Sequence, residues 1–332
     1  MYQSTHTNKQ AHQRRVGRLA SLLFFAVLVS FQSAAAEPLR QQFAVAHAGN
    51  TLHVEVTRDA QREGRQPLVI FLVGSGEPST IANNRAMIDF FLEQPLLPKG
   101  YAVAAFDKRG TGKSSGVWYT ANFSDRAADA VAVAQSLQQL NWVDPERIYL
   151  VGHSQGGWIV QIALADHPDL FAAGISMAGP TFGVREQLIN DYASAYQCKH
   201  NTTEDKAYRV MSRRVSLGLS LARWLRFSDE LKQLNVIKDF TPDDYLTEVT
   251  QPLLLLFAEN DPLVSPERSI AALNDLFPAG VPENISYYTA LGEEHSFKSA
   301  PKCYDGAWRD IEFSPATRDY LVTWLTQQNA HK

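Results

Sequence analysis

The chain is 332 residues long, 45% hydrophobic, and carries a formal net charge of -4. That length and apolar content suffice for a large core in one α/β domain with an insertion. The mildly acidic balance gives no electrostatic case for nucleic acid as a partner.

The first residues read as an export signal. Arg14, Arg15 and Arg18 precede the apolar run 19–31, and Ala34, Ala35 and Ala36 supply small residues ahead of Glu37-Pro38. A positive region, an apolar stretch of about a dozen residues and a small-residue end describe a secretory signal peptide over 1–36, cleaved near Ala36. The apolar stretch is short for a membrane span, and Ser21 and Ser30 dilute it. No cysteine follows the cleavage site to carry a lipid, and Val16-Gly17-Arg18 fits a twin-arginine signal poorly. The expectation is an exported protein, periplasmic or secreted, with no membrane partner after cleavage. Cys198 and Cys303 suit that compartment, either as one disulfide or as two free thiols.

In the mature part, residues 41–47 and 51–58 predict a strand pair, with His47-Ala48-Gly49-Asn50 as its turn. Residues 67–73 form a continuous apolar run, as expected of a strand buried on both faces of a parallel sheet. It ends in Gly74-Ser75-Gly76-Glu77-Pro78. A helix over 86–92, closed by Pro95 and Pro98, and a buried strand over 101–106 follow. Helical spacing then marks 127–140, with Ser124 as a candidate cap. Strands are expected at 148–151, 171–177, 252–258 and 285–289, and helices at 158–165, 265–277 and 317–327. Alternating strands and helices predict an α/β fold with a mostly parallel sheet covered on both faces. The alternation stalls over 181–250, which reads as a helical cap insertion. The core is accordingly 37–180 and 251–332.

One stretch carries the chemistry. Gly152-His153-Ser154-Gln155-Gly156-Gly157 joins the strand at 148–151 to the helix after it. A G-x-S-x-G sequence in that context is a tight turn that lifts the serine hydroxyl clear of the backbone. It makes Ser154 the candidate nucleophile and puts the Gln155 N–H at a helix start, where it can stabilise an oxyanion. A serine needs a base, and the base needs an orienting carboxylate, both from loops at the carboxyl ends of strands. Two loops offer them: Glu259-Asn260-Asp261-Pro262-Leu263-Val264 and Glu293-Glu294-His295-Ser296-Phe297. The order Ser154, Asp261, His295 is the one found with this turn type.

On these motifs, together with Asp107-Lys108-Arg109-Gly110-Thr111-Gly112-Lys113-Ser114, the chain resembles the α/β-hydrolases over residues 40–330. Within them it is similar to carboxylesterases, dienelactone-hydrolase-like proteins and proline-type aminopeptidases, which share these motifs. The resemblance implies Asp261 as triad acid and His295 as base, and a second oxyanion donor from the loop after the strand at 67–73. That loop is usually His-Gly-x-Gly in the family and here reads Val73-Gly74-Ser75-Gly76; the donor position is the Ser75 backbone N–H, with Gly76 next. It also implies that Asp107 and Arg109 make local hydrogen bonds at a structural corner. The corner lacks the G-x-x-x-x-G-K-[ST] spacing of a phosphate loop.

Other candidates stand beside these. Glu259 could replace Asp261 as acid, while His153 and His167 read as structural and Glu293 and Glu294 as solvent-facing. Glu77 either turns outward or receives a cationic group such as a free amine. Trp118 and Tyr119 either line a substrate pocket or pack between cap and core. No metal-ligand cluster and no cofactor motif is seen. If Cys198 and Cys303 pair, the bridge ties the insertion to the segment after His295. The expected function is ester hydrolysis through a Ser-His-Asp acyl-enzyme, on a small-molecule substrate. The alternatives are a serine aminopeptidase acting on short peptides, or an inactive ligand-binding protein on the same fold.

Overall fold

The computed structural model describes residues 37–222, 224, 227–306 and 310–330. The expected signal peptide lies outside the described residues.

Eight strands form one sheet in the order β1-β2-β4-β3-β5-β6-β7-β8. They are β1 (Leu39–His47), β2 (Asn50–Arg58), β3 (Gln66–Leu72), β4 (Ala102–Phe106), β5 (Val143–His153), β6 (Ala173–Met177), β7 (Leu253–Ala258) and β8 (Ile285–Ala290). The hairpin β1–β2 adds to β4 antiparallel, and every pairing from β4 to β8 is parallel. The apolar runs are continuous because both faces are covered. On β3, Leu68, Ile70 and Leu72 join one hydrophobic cluster while Val69 and Phe71 join the other. Leu253 and Leu255 against Leu254 and Leu256 repeat this on β7, the two-residue period of a strand applied to a sandwich of helices. Truncating Leu255, fully buried, to Ala would cost about 2–5 kcal/mol.

Three local expectations are corrected. The helix expected at 86–92 begins at Ile81, because Thr80 caps it by accepting from the Asn83 N–H. A π-helical turn, Asp89–Glu93, then lets the chain run on through Pro95, whose missing N–H falls in the first turn of the next helical piece. The helix Phe123–Gln138 is capped by Asn122, not Ser124, through a reciprocal capping box with Asp125.

Among the described residues between β6 and β7 the chain forms four helices, Val184–His200, Glu204–Ala222, Asp229–Ile237 and Asp243–Glu248. They are pinned to the core at several points. Phe240 packs its ring against Phe123 and Trp158. Asn190 donates to the Leu263 carbonyl at 2.9 Å. Cys198 and Cys303 form a disulfide, which fastens the first inserted helix to the segment after His295.

Candidate active site

Ser154 sits between the end of β5 and the helix Gln155–Asp166 with φ 56° and ψ -123°. A non-glycine residue held there costs on the order of 1–3 kcal/mol, so the surroundings must enforce it. Two backbone bonds do: the Ser154 N–H donates to Met177 O, and Ser154 O accepts from the Gly157 N–H, both at 2.8 Å. The glycines let the strand and helix approach closely. A Cβ on Gly152 would overlap the Gly156 carbonyl oxygen, and one on Gly157 would meet the Gly179 Cα at 2.7 Å. The turn therefore projects Ser154 off the carboxyl edge of the sheet, as its sequence predicts.

The loops after β7 and β8 converge on the same edge. His295 Nδ1 lies 2.7 Å from Asp261 Oδ2, and the two side chains are 11% and 0% exposed. The other carboxylate oxygen, Oδ1, accepts from the Leu263 and Val264 N–H groups at 2.7 and 2.9 Å, which fixes the plane of the carboxylate. Burial alone would lower the His295 pKa. The charge and hydrogen bond of Asp261, with Glu294 and Asp191 behind it, outweigh burial and raise it above its ordinary value. An imidazole so oriented, with Nε2 free of the carboxylate, can take and return a proton.

His153 is buried, and its Nε2 lies 2.9 Å from the His295 carbonyl oxygen. Burial, with the nearby His295 adding to it, holds its pKa down to about 3. It is neutral and its Nε2–H donates to that carbonyl. Its structural reading stands, with a specific task. His167 ends the helix Gln155–Asp166 as its cap.

The loop after β3 lies against Ser154: a Cβ on Gly74 would be 3.3 Å from the Ser154 Cβ. Its carbonyls point at two buried basic side chains. Lys108 Nζ donates to Gly74 O at 2.9 Å and Gly76 O at 2.5 Å. Arg126 donates to Val73 O at 2.7 Å, Gly74 O at 3.3 Å and Gln155 Oε1 at 3.1 Å. Ser75 and Glu77 are exposed at the surface of this loop. At the neighbouring corner Asp107 accepts from the Ile81 and Lys113 N–H groups, and Arg109 grips both carboxylate oxygens of Asp129 at 2.7 and 2.8 Å.

The remaining candidates fall elsewhere. Glu259 accepts from the Gly292 N–H at 2.7 Å, so it braces the base loop, and His295 takes Asp261 instead. Glu293 and Glu294, expected in solvent, are buried. The hydroxyl of Thr317 donates to Glu293, and Glu294 accepts from the Lys298 N–H, so each carboxyl keeps a partner inside. Trp118 is buried against the Gly110 turn, and Tyr119 carries the Lys232 ammonium over its ring, 4.7 Å from the centroid. Both pack where the helix Asp229–Ile237 meets the core. An apolar groove of about 480 Å³ lies within the inserted helices, with Leu188, Tyr192, Met211 and Leu231 in its walls and no triad candidate among them.

Lys108, Arg126 and Asp191 were not singled out from sequence. Lys108 and Arg126 act mainly on backbone oxygens, which carry no residue signature. Asp191 sits in the insertion, next to Asn190 on the helix that docks against Leu263, and is within electrostatic reach of His295 and Asp261. Among the described residues no cluster of His, Cys, Asp and Glu could hold a metal, and no helix is long and apolar enough to cross a membrane.

The model of the prolyl oligopeptidase family matches residues 88–308. NocK of Nocardia uniformis subsp. tsuyamanensis, which carries the name of an esterase, is 32% identical over 131 residues, 39% of this chain and 37% of that protein. Dipeptidyl peptidase 8 of Mus musculus is 27% identical over 131 residues, 38% of this chain and 15% of that protein. The chain thus spans well under half the length of these curated relatives. Among solved structures, Est1E from Butyrivibrio proteoclasticus with ferulic acid bound superposes with a TM-score of 0.57 at 19% identity. That match covers 87% of this chain and 99% of the other, and it shows the fold.

Proposed function

The chain belongs to the prolyl oligopeptidase family and has the α/β-hydrolase fold, and from that premise we propose that it is a serine hydrolase cleaving carboxylic esters through an acyl-enzyme. One observation carries the proposal: a serine at an enforced positive φ shares a sheet edge with a histidine whose Nδ1 is 2.7 Å from a fully buried aspartate. In this reading Ser154 Oγ attacks the carbonyl carbon while His295 Nε2 takes its proton. The N–H groups of Gln155 and Ser75 receive the oxyanion. His295 then returns the proton to the leaving alcohol, and a water deprotonated by the same imidazole releases the acid. Asp261 holds the tautomer that leaves Nε2 free to act.

The ester reading draws on the esterase name of NocK and on the fold shared with Est1E. Peptide-bond cleavage is the second reading, favoured by the family itself and by the match to dipeptidyl peptidase 8. In that reading Glu77, exposed beside the proposed oxyanion hole, takes the amino group of a short peptide. Export is proposed with either reading, from the signal-like residues 1–36 and the disulfide. The inserted helices are proposed to act as a cap over the site.

The discriminating experiment assays the protein and its Ser154→Ala variant on p-nitrophenyl esters from acetate to palmitate, beside aminoacyl and prolyl anilides. Ester turnover that disappears in the variant supports the esterase. Faster anilide turnover, also lost in the variant, moves the assignment to the peptidase. Turnover undiminished by Ser154→Ala removes the serine mechanism.

A further inference from the structure

Lys108 and Arg126 are 4% and 5% exposed, so both basic side chains are buried behind the loop that follows β3. Between them they hold the carbonyls of Val73, Gly74 and Gly76. A trans peptide unit is planar, with its C=O and N–H pointing in opposite directions. Turning those three carbonyls inward therefore turns the N–H groups of Gly74, Ser75 and Glu77 the other way. Successive N–H groups presented on one side of a turn make an anion-binding concavity. Gly74, in the middle of this turn, is so near Ser154 that a Cβ added to it would lie 3.3 Å from the Ser154 Cβ. Arg126 also reaches the Gln155 side chain, whose own backbone N–H heads the helix after the nucleophile.

We propose that Lys108 and Arg126 are positioning residues that aim the donors of the oxyanion hole, with Arg126 tying the Ser75 side of the hole to the Gln155 side. The inference rests on the serine-hydrolase reading above and deepens it. Burying two basic side chains next to each other is costly, and carbonyls at the end of a strand could be satisfied by ordinary neutral donors. The cost shows in Lys108, whose pKa is held down to about 6 by burial first and Arg126 second, against the pull of Asp107. As a neutral amine Lys108 still has two N–H groups, one for each carbonyl. Arg126 keeps its charge, with its pKa lowered by burial only to about 10. Its positive charge then lies behind the position where negative charge develops in the transition state, a placement that lowers the barrier without touching substrate.

The test uses the full protein, a p-nitrophenyl ester, and a trifluoromethyl ketone that forms a tetrahedral adduct with the serine. Lys108→Met is expected to lower kcat about 10- to 100-fold with KM changed less than about threefold. Its affinity for the ketone should fall by a factor similar to the loss in kcat/KM. Arg126→Lys, which keeps a buried cation but loses the simultaneous reach to Gly74 and Gln155, should show a smaller loss of the same kind. Wild-type kcat and ketone affinity in both variants overturns the proposal, whatever happens to thermal stability. If Lys108→Met does not fold, Arg126→Lys decides alone: unchanged ketone affinity overturns the proposal. Failure of the underlying reading looks different, because Ser154→Ala would then retain turnover and the ketone would not bind wild type.

Discussion

The Nε2 of His153 lies 2.9 Å from the carbonyl oxygen of His295, so the residue preceding the proposed nucleophile anchors the backbone of the proposed base. This bond ties the end of β5 to the loop after β8 and fixes the separation of two groups that exchange a proton in the proposed mechanism. His153→Phe fills the space, removes the donor and orphans a carbonyl, at about 1–3 kcal/mol. The expected result is a kcat lowered about 10-fold or more with KM little changed, and His153→Gln should recover part of it. Equal kcat in His153→Phe and wild type would remove the anchoring role. The same residue shapes acid stability. Its folded pKa of about 3 lies below an unfolded value near ~6.5, so its contribution is full above the latter and lost as pH falls toward the former. Urea unfolding of wild type should therefore lose stability across that window faster than His153→Phe.

The acid limb of the pH–rate profile reports His295. The proposed mechanism needs the neutral imidazole, and Asp261, Glu294 and Asp191 favour the imidazolium against the burial that opposes it. The midpoint of kcat/KM is thus expected above ~6.5, the ordinary histidine value. Removing one of those charges must lower the midpoint. Asp191→Asn should extend activity to lower pH, measured as a shifted acid limb with the plateau kept. A profile that stays in place or moves up would show that Asp191 does not act on the base.

The Cys198–Cys303 bridge closes a loop with a sequence separation of 105 and fastens the first inserted helix beside the base loop. In chain-entropy terms a loop of that size gives a disulfide an expected worth of about 4–5 kcal/mol. Cys198→Ser with Cys303→Ser should lose that much in denaturant unfolding. No change in the unfolding midpoint would mean that the bonds from Asn190 and the packing of Phe240 already hold these helices.

Gly157→Ala tests the elbow. Its Cβ would press on the Gly179 Cα, backbone that cannot rotate away. Overpacking at such a contact costs about 1–3 kcal/mol and displaces the turn. Loss of activity with lowered stability is expected; a fully active, equally stable variant would contradict the packing described.

These features differ in how far residue types announce them. The strands β3 and β7 were readable because a strand covered on both faces must be apolar at every position, as Leu253-Leu254-Leu255-Leu256 is. The elbow was readable because close strand–helix approach demands glycine at fixed spacing around Ser154. Asp261 and His295 followed from chain order and sheet edge, and the structure joins them. Caps were harder, since Asn122 and Ser124 are both good caps two residues apart and only the reciprocal bond with Asp125 decides. Charge was misleading at Glu293 and Glu294, which are buried because Thr317 and the Lys298 N–H receive them. The task of Lys108 and Arg126 left no trace, because the carbonyls they hold are backbone oxygens more than thirty residues away in sequence.

The central claim is that Ser154 forms the covalent intermediate. The most direct measurement is titration with a fluorophosphonate probe, following residual ester turnover and mapping the labelled peptide by mass spectrometry. The account predicts one label per chain, located on Ser154, with turnover falling in proportion to labelling. Full turnover in protein completely labelled at Ser154, or inactivation with the label on another residue, would contradict it.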